Sequence, residues 1–120
     1  MTIETIDISQ KFELFSDAWH PRIVAELNDS YVKLVRLHGE FVWHQHENED
    51  ELFLVIHGTL VIKLRDRDLT IGEGQFAVIP KGVEHLPVAD AEVLAMLIEP
   101  RATRNTGDIQ NERTVDADWI

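Results

Sequence analysis

From Arg22 onward the chain is a succession of short apolar runs, each closed by a cluster of turn residues. "RIVAEL", "YVKLVRL", "EFVW", "ELFLVI", "TLVIKL", "LTI", "QFAVI" and "AEVLAMLI" alternate with "NDS", "HGE", "QHENED", "HG", "RDRD", "GEG", "PKG" and "PVADA". Short runs rich in Val, Ile, Leu and Phe, punctuated at regular spacing by Gly, Pro, Asn and Asp, predict an antiparallel sandwich or barrel. Thr59–Asp66 makes the period visible: Leu60, Ile62 and Leu64 fall on one face, Val61, Lys63 and Arg65 on the other. "RDRD" then reads as the turn of a hairpin.

The two ends have a different texture. Residues 1–20 are a mixed prelude with one short helix expected around Ser9–Phe15. Residues 101–120 are polar and weakly patterned, and read as a tail packed over the barrel or partly disordered. Residues 21–100 remain as the barrel. Trp119 and Ile120 are candidates to dock on the body or on a second subunit.

Composition limits the function classes. A hydrophobic share of 44% over 120 residues fits one domain with a core. The apolar runs are too short to span a bilayer, and the acidic N-terminus lacks a basic region followed by an apolar one, so neither a membrane span nor a signal peptide is expected. The chain has no cysteine, which excludes disulfides, thiolate ligands and a cysteine nucleophile and suits a cytoplasmic location. A formal charge of −11 argues against nucleic acid or an anionic membrane as a partner.

One segment, "FVWHQHENEDELFLVIHG", concentrates ligand chemistry between apolar stretches. His44 and His46, two apart, would lie on one face of a strand, roughly 7 Å apart along the chain. "ENED" can turn the chain so that Glu51, opening the next strand, returns beside them. His85 follows the turn "IPKGVE", which can deliver it to a neighbouring strand. Three imidazoles and one carboxylate form a borderline N/O donor set that suits Mn, Fe, Ni, Co or Zn and leaves open positions on an octahedral ion. A histidine pair on a polar turn is also what an ordinary surface turn looks like, and the pair alone does not decide between the two.

The flanking glycines and proline do. Gly39, "EFVW", His44, Gln45, His46, "ENED", Glu51, "LFLVIH", Gly58 is similar to the first motif of the cupin superfamily. Gly74, "QFAVI", Pro80, Lys81, Gly82, "VE", His85, "LPV", Ala89 is similar to the second. Two departures occur: the first spacer has four residues where five are usual, and Ala89 stands where the family has asparagine. Neither removes a ligand. The resemblance covers about Val32 to Ile98 and implies a small β-barrel, the jelly-roll-like double-stranded β-helix. It implies one divalent transition metal on His44, His46, Glu51 and His85, with Glu51 able to act also as a catalytic base. It also implies a homodimer formed through the N-terminal strands.

Within that frame Val42 is expected to point inward with His44 and His46, and Gln45 outward. Phe53 and Val55 should share the Glu51 face, with Phe76 and Val78 lining the barrel below His85. His57 lies roughly 20 Å along the strand from Glu51 and reads as structural or surface. His38 reads as a rim residue, His20 and Trp19 as a surface or dimer contact, and Glu47, Glu49 and Asp50 as a solvated turn. Tyr31, Lys33, Arg36, Trp43, Lys63 and Lys81 are candidate substrate contacts, with Lys33 and Arg36 of opposite parity so that only one can face the cavity.

The leading expectation is a metal-dependent enzyme acting on a small oxygenated molecule, a sugar, keto acid or diketone. Oxygenation is one reaction class and isomerisation or lyase chemistry the other. A non-catalytic sugar- or acid-sensing module is the alternative, and a metal that only stabilises the barrel is a third. Thiol dioxygenase cupins are set aside by Glu51 and the missing cysteine, and a sugar phosphate would want more converging basic residues than the chain offers.

Overall fold

The computed structural model describes residues 3–120. One short helix, α1 (Ile8–Phe12), precedes eight strands: β1 (Arg22–Leu27), β2 (Ser30–Glu40), β3 (Glu51–His57), β4 (Leu60–Leu64), β5 (Asp68–Ile71), β6 (Phe76–Ile79), β7 (His85–Pro100) and β8 (Asp118–Trp119). The expected all-β, jelly-roll-like fold with a short N-terminal helix is present. The Asp7 carboxylate accepts from the Gln10 amide at the start of α1. The helix ends at Phe12 and not at Phe15, because the Arg36 guanidinium takes the carbonyls of both residues.

The long strand β7 organises the sheet. Along one edge it pairs with β2 from Glu40↔Val88 to Ser30↔Pro100. Along the other edge it pairs first with β4, through Leu64↔His85 to Val61↔Val88, and then with β3, through His57↔Leu94 to Leu52↔Ile98. The strand path β5-β4-β7-β2-β1-β8 is open, with β3 branching from β7 and β6 pairing with β3, so the fold is a curved sandwich and not a closed ring.

Side-chain alternation places the core. Leu60 and Ile62 of β4 are fully buried, as their parity predicts, and the β4–β5 turn closes with the Leu64 amide donating to the Arg67 carbonyl. They meet Val35 and Leu37 of β2, Phe53 and Val55 of β3, and Val93, Ala95 and Leu97 of β7. A second cluster lies on the outer face of the sheet, where Phe12 and Phe15 cover Val24 and Leu34.

The expected inward position of Phe76 and Val78 is overturned: both are more than half exposed. The register explains it. Val78 stands opposite Leu52 and Phe76 opposite Leu54, whereas Ile79 stands opposite Glu51 and Ala77 opposite Phe53. Opposed residues share a face, so with Glu51 and Phe53 inward it is Ala77 and Ile79 that line the interior.

Candidate metal centre

His44, His46, Glu51 and His85 come together at one end of the sandwich, each at most 4% exposed. One donor atom from each lies within 4.8 Å of every other. Their elements explain the convergence. Residues 41–50 leave the regular sheet after β2, touching it again through an isolated bridge in which His44 and His85 exchange backbone hydrogen bonds of 3.1 and 2.9 Å. The Pro80–Val83 turn closes with the Val83 amide on the Pro80 carbonyl, and its third residue, Gly82, takes φ +80°, as a type II turn requires. That turn aims His85 inward, and its Gly82 amide also holds the His46 carbonyl at 2.8 Å. Glu51 opens β3 on the same inward face as Phe53.

The imidazoles are oriented for ligation. His44 Nδ1 bonds the Val42 carbonyl at 2.8 Å and His85 Nδ1 bonds the Val83 carbonyl at 2.9 Å. A ring whose Nδ1 carries the proton presents a lone pair at Nε2. Glu51 Oε1 lies 3.4 Å from His46 Nε2 and 3.6 Å from His85 Nε2. These three atoms are buried without a hydrogen-bond partner, a costly arrangement unless something else satisfies them. Two donors on one ion at about 2.1 Å can be no more than about 4.2 Å apart, so the cluster needs only small side-chain adjustments. The four residues could hold a metal ion, and the donor set fits a borderline transition metal.

The electrostatics favour neutral histidine beside a charged carboxylate. Burial, then the neighbouring His85, lowers the His44 pKa to about 4, against the Val42 carbonyl that pulls the other way. Burial opposes ionisation of Glu51, but the neighbouring Glu99, His46 and His85 outweigh it and hold the carboxyl well below its usual range. Glu99 is pushed well above that range by burial and by the Glu51 charge, with Lys33 acting against them. Lys33 Nζ donates to Glu99 Oε1 at 2.9 Å, and Glu99 Oε2 is buried without a hydrogen-bond partner.

Glu99 was not among the sequence candidates. Its signal was the parity of β7: Val93, Ala95, Leu97 and Glu99 alternate as buried positions to the end of the strand. Tyr31 stands opposite Glu99 and Lys33 opposite Leu97, so Lys33 and Glu99 are diagonal neighbours on one face. Lys33 is the buried member of the Lys33/Arg36 pair, of which parity allowed at most one to face inward. Arg36 instead bonds α1 and Glu92.

A cavity of about 400 Å³, counting its solvent-open mouth, adjoins the cluster; His44, Glu51, Glu99 and Asn105 supply its polar lining, with Trp19 and Phe41 among its apolar walls. Phe41 stands where Val42 was expected, because the chain past Glu40 no longer keeps strand period. Its ring stacks on Trp19 at 4.7 Å and meets His44 edge-on at 5.5 Å. Trp19, expected at the surface, is a wall residue held at φ 63° by its amide on the Arg36 carbonyl and its indole N–H on the His38 carbonyl.

The remaining candidates lie elsewhere. Trp43 packs under the Arg65 guanidinium at 3.7 Å. Tyr31 meets Trp119 edge-on. Lys63 is half-buried on β4, and Lys81 is exposed. His57 is exposed beside Glu73, and His20 sits between Asp17 and Asp118. Glu47, Glu49 and Asp50 stay outside the cluster, Asp50 accepting from the Lys81 amide.

Fold and site together define a cupin-type β-sandwich with a three-histidine, one-glutamate cluster. Residues 33–99 match the family described as the cupin domain, and the chain belongs to that family. A cupin-2 domain containing protein from Shewanella frigidimarina NCIMB 400 is 52% identical, with a TM-score of 0.79 over 80% of this chain and 94% of its own. A protein of Neisseria meningitidis is 32% identical, with a TM-score of 0.74 over 81% and 99%. The uncharacterized protein YdbB of Bacillus subtilis strain 168 is 38% identical over 63 residues, 52% of this chain; the match spans only 56% of YdbB.

Proposed function

We propose that this chain is a metal-dependent cupin enzyme for a small oxygenated substrate, a sugar, keto acid or diketone. The observation that carries the reading is the convergence of four buried donors, three of whose atoms lack a hydrogen-bond partner, beside a cavity. His44, His46, Glu51 and His85 would hold one divalent ion, Mn, Fe, Ni, Co or Zn. The ion would supply Lewis acidity toward a substrate oxygen.

The chain's own groups do the rest. The Trp19 and Phe41 rings wall the site from bulk water. Glu51 and Glu99 both line the cavity and are the carboxyl groups available there to take or give a proton. Lys33 supplies the positive charge beside Glu99. Such a site serves either reaction class, oxygenation or isomerisation or lyase chemistry. Substrate and ion are the partners proposed. The net charge of −11 supports the absence of nucleic acid, and the lack of cysteine supports a cytoplasmic setting. Among the described residues no helix is long and apolar enough to cross a membrane. Residues 21–100 are proposed as the barrel, with 1–20 and 101–120 as extensions.

A homodimer is proposed as well, but on a different surface from the N-terminal strands. The β1 edge is already taken at Arg22 and Ile23 by β8. Phe76 and Val78, exposed on the outer face of β6, are the better support for a contact between copies. Sedimentation of the wild type as a dimer and of Phe76→Asp as a monomer is the expected result; a monomeric wild type refutes it.

The functional test is metal content by mass spectrometry on protein purified without added metal. Product analysis by NMR and oxygen uptake then follow against sugars, keto acids and diketones. Stoichiometric metal with turnover supports the enzyme, metal with ligand binding and no turnover moves the protein to the sensing class, and no bound metal sinks the enzyme and the structural-metal reading together.

A further inference from the structure

The segment that carries two of the four candidate ligands is not held by regular pairing. Between Glu40 and Glu51 the chain meets the sheet through the Phe41 amide on the Pro87 carbonyl and the His44 bridge. Three successive carbonyls there are taken by three different parts of the molecule. The His44 carbonyl accepts from the His85 amide, the His46 carbonyl from the Gly82 amide, and the Gln45 carbonyl between them from the Asp108 amide at 2.9 Å. The Gln45 amide in turn donates to Asp108 Oδ1 at 3.0 Å. Both backbone groups of the residue between the histidines are therefore gripped by one residue of the C-terminal segment.

That segment is itself pinned. The Thr106 hydroxyl, fully buried, lies 2.6 Å from that of Thr114. The Asn105 side chain donates to the Arg113 carbonyl and accepts from the Val115 amide. Arg113 reaches back to the Glu40 carbonyl at 3.1 Å, and Arg104 holds the Gly107 carbonyl. Gly107 is where the segment touches the histidines. It takes φ +60°, and a Cβ there would meet the Gln45 carbonyl in hard overlap and His44 Cδ2 at 3.1 Å. No side chain fits without moving one backbone off the other.

We propose that Gly107 and Asp108 are positioning residues for the metal site, clamping Gln45 so that His44 and His46 leave the chain in the directions ligation needs. The proposal rests on the four-ligand reading above and deepens it. Fixing the peptide units on both sides of Gln45 fixes the Cα–Cβ directions of the two histidines. Groups that orient ligands are typically worth 10–100-fold in metal affinity.

The test uses the full chain with Gly107→Ala, Asp108→Ala and Asp108→Asn. Zinc affinity is read by competition with a chromophoric chelator, ligand geometry by the visible spectrum of the cobalt(II) form, and fold stability by melting of the metal-free protein. Asp108→Ala and Gly107→Ala should lose about 10–100-fold in affinity and alter the cobalt spectrum. Asp108→Asn, whose amide oxygen still accepts from Gln45, should remain close to wild type in both. If Gly107→Ala does not fold, Asp108→Ala, which leaves the backbone untouched, decides. Wild-type affinity and spectrum in Asp108→Ala overturn the clamp even if its melting temperature falls, since a merely stabilising strap predicts that pattern. A wild type that binds neither zinc nor cobalt overturns the metal-site reading and the clamp together.

Discussion

Replacing Lys33 by Met should be the most damaging single change outside the candidate ligands. Lys33 and Glu99 are almost wholly buried, at 4% and 1% side-chain exposure, and 2.9 Å apart. Met fills much of the same volume but leaves Glu51 and Glu99 enclosed with no cation. Breaking a buried ion pair by removing one partner costs about 3–5 kcal/mol. Burial pushes the Glu99 carboxyl well above its usual range and so weakens the pair, and the lower end applies, about 3 kcal/mol. Against a domain stability of about 5–15 kcal/mol that is a large share. With a urea m-value of about 1–3 kcal/mol/M, the midpoint should fall by about 1–3 M. The assay is urea unfolding of metal-free protein at pH 7, followed by fluorescence of the tryptophans. Glu99→Gln should lose little, because an amide oxygen can still accept from Lys33. The double variant Lys33→Met/Glu99→Gln should recover part of the Lys33→Met loss, since the second carboxyl is then gone. A Lys33→Met loss below about 1 kcal/mol, or strict additivity in the double variant, would refute the coupled trio.

Three further outcomes follow. His44 is lowered to about 4 in the folded protein against 6.5 for the free group, so the unfolded chain binds the extra proton between those values; metal-free stability should be full above about pH 6.5 and decline by roughly 3 kcal/mol as pH falls to 4, read by urea titrations across that window. His85→Ala should abolish the rise in melting temperature that excess zinc gives the wild type, which amounts to about 2.7 kcal/mol at 100 times Kd; unchanged metal occupancy refutes the ligand assignment. Ile62→Ala, fully buried on β4, should cost about 2–5 kcal/mol and Val61→Ala on the opposite face markedly less, and equal losses would contradict the alternation.

What could be read without coordinates depended on whether a signal was local. Two histidines spaced by one residue, a glutamate opening a strand and a proline–glycine turn before a third histidine are local patterns, and the structure brings those four side chains together. Leu60, Ile62 and Leu64 were legible for the same reason, since period two survives within one strand. Phe76 and Val78 were misplaced because their phase is set by pairing with β3 across a long loop, and counting from His85 through the Pro80 bend loses the register. Glu99 was hidden because a carboxylate beside a proline looks like a strand end, and its partner Lys33 lies on a different strand. Trp19 and Asp108 were hidden more deeply: each acts through backbone contacts that no spacing rule records.

The shared strand β7 has a consequence for how the protein is made. It supplies a neighbour to β2, β3 and β4 alike, so three strands translated earlier must wait for residues 85–100 before any can complete its pairing. Contacts of such long sequence separation fold slowly. During synthesis the emerging chain would expose unpaired, apolar strand edges for most of its passage from the ribosome. His44 and His46 could not be held as ligands in that interval, so ion capture and completion of the sheet should occur as one late event, after residues 85–100 have been released.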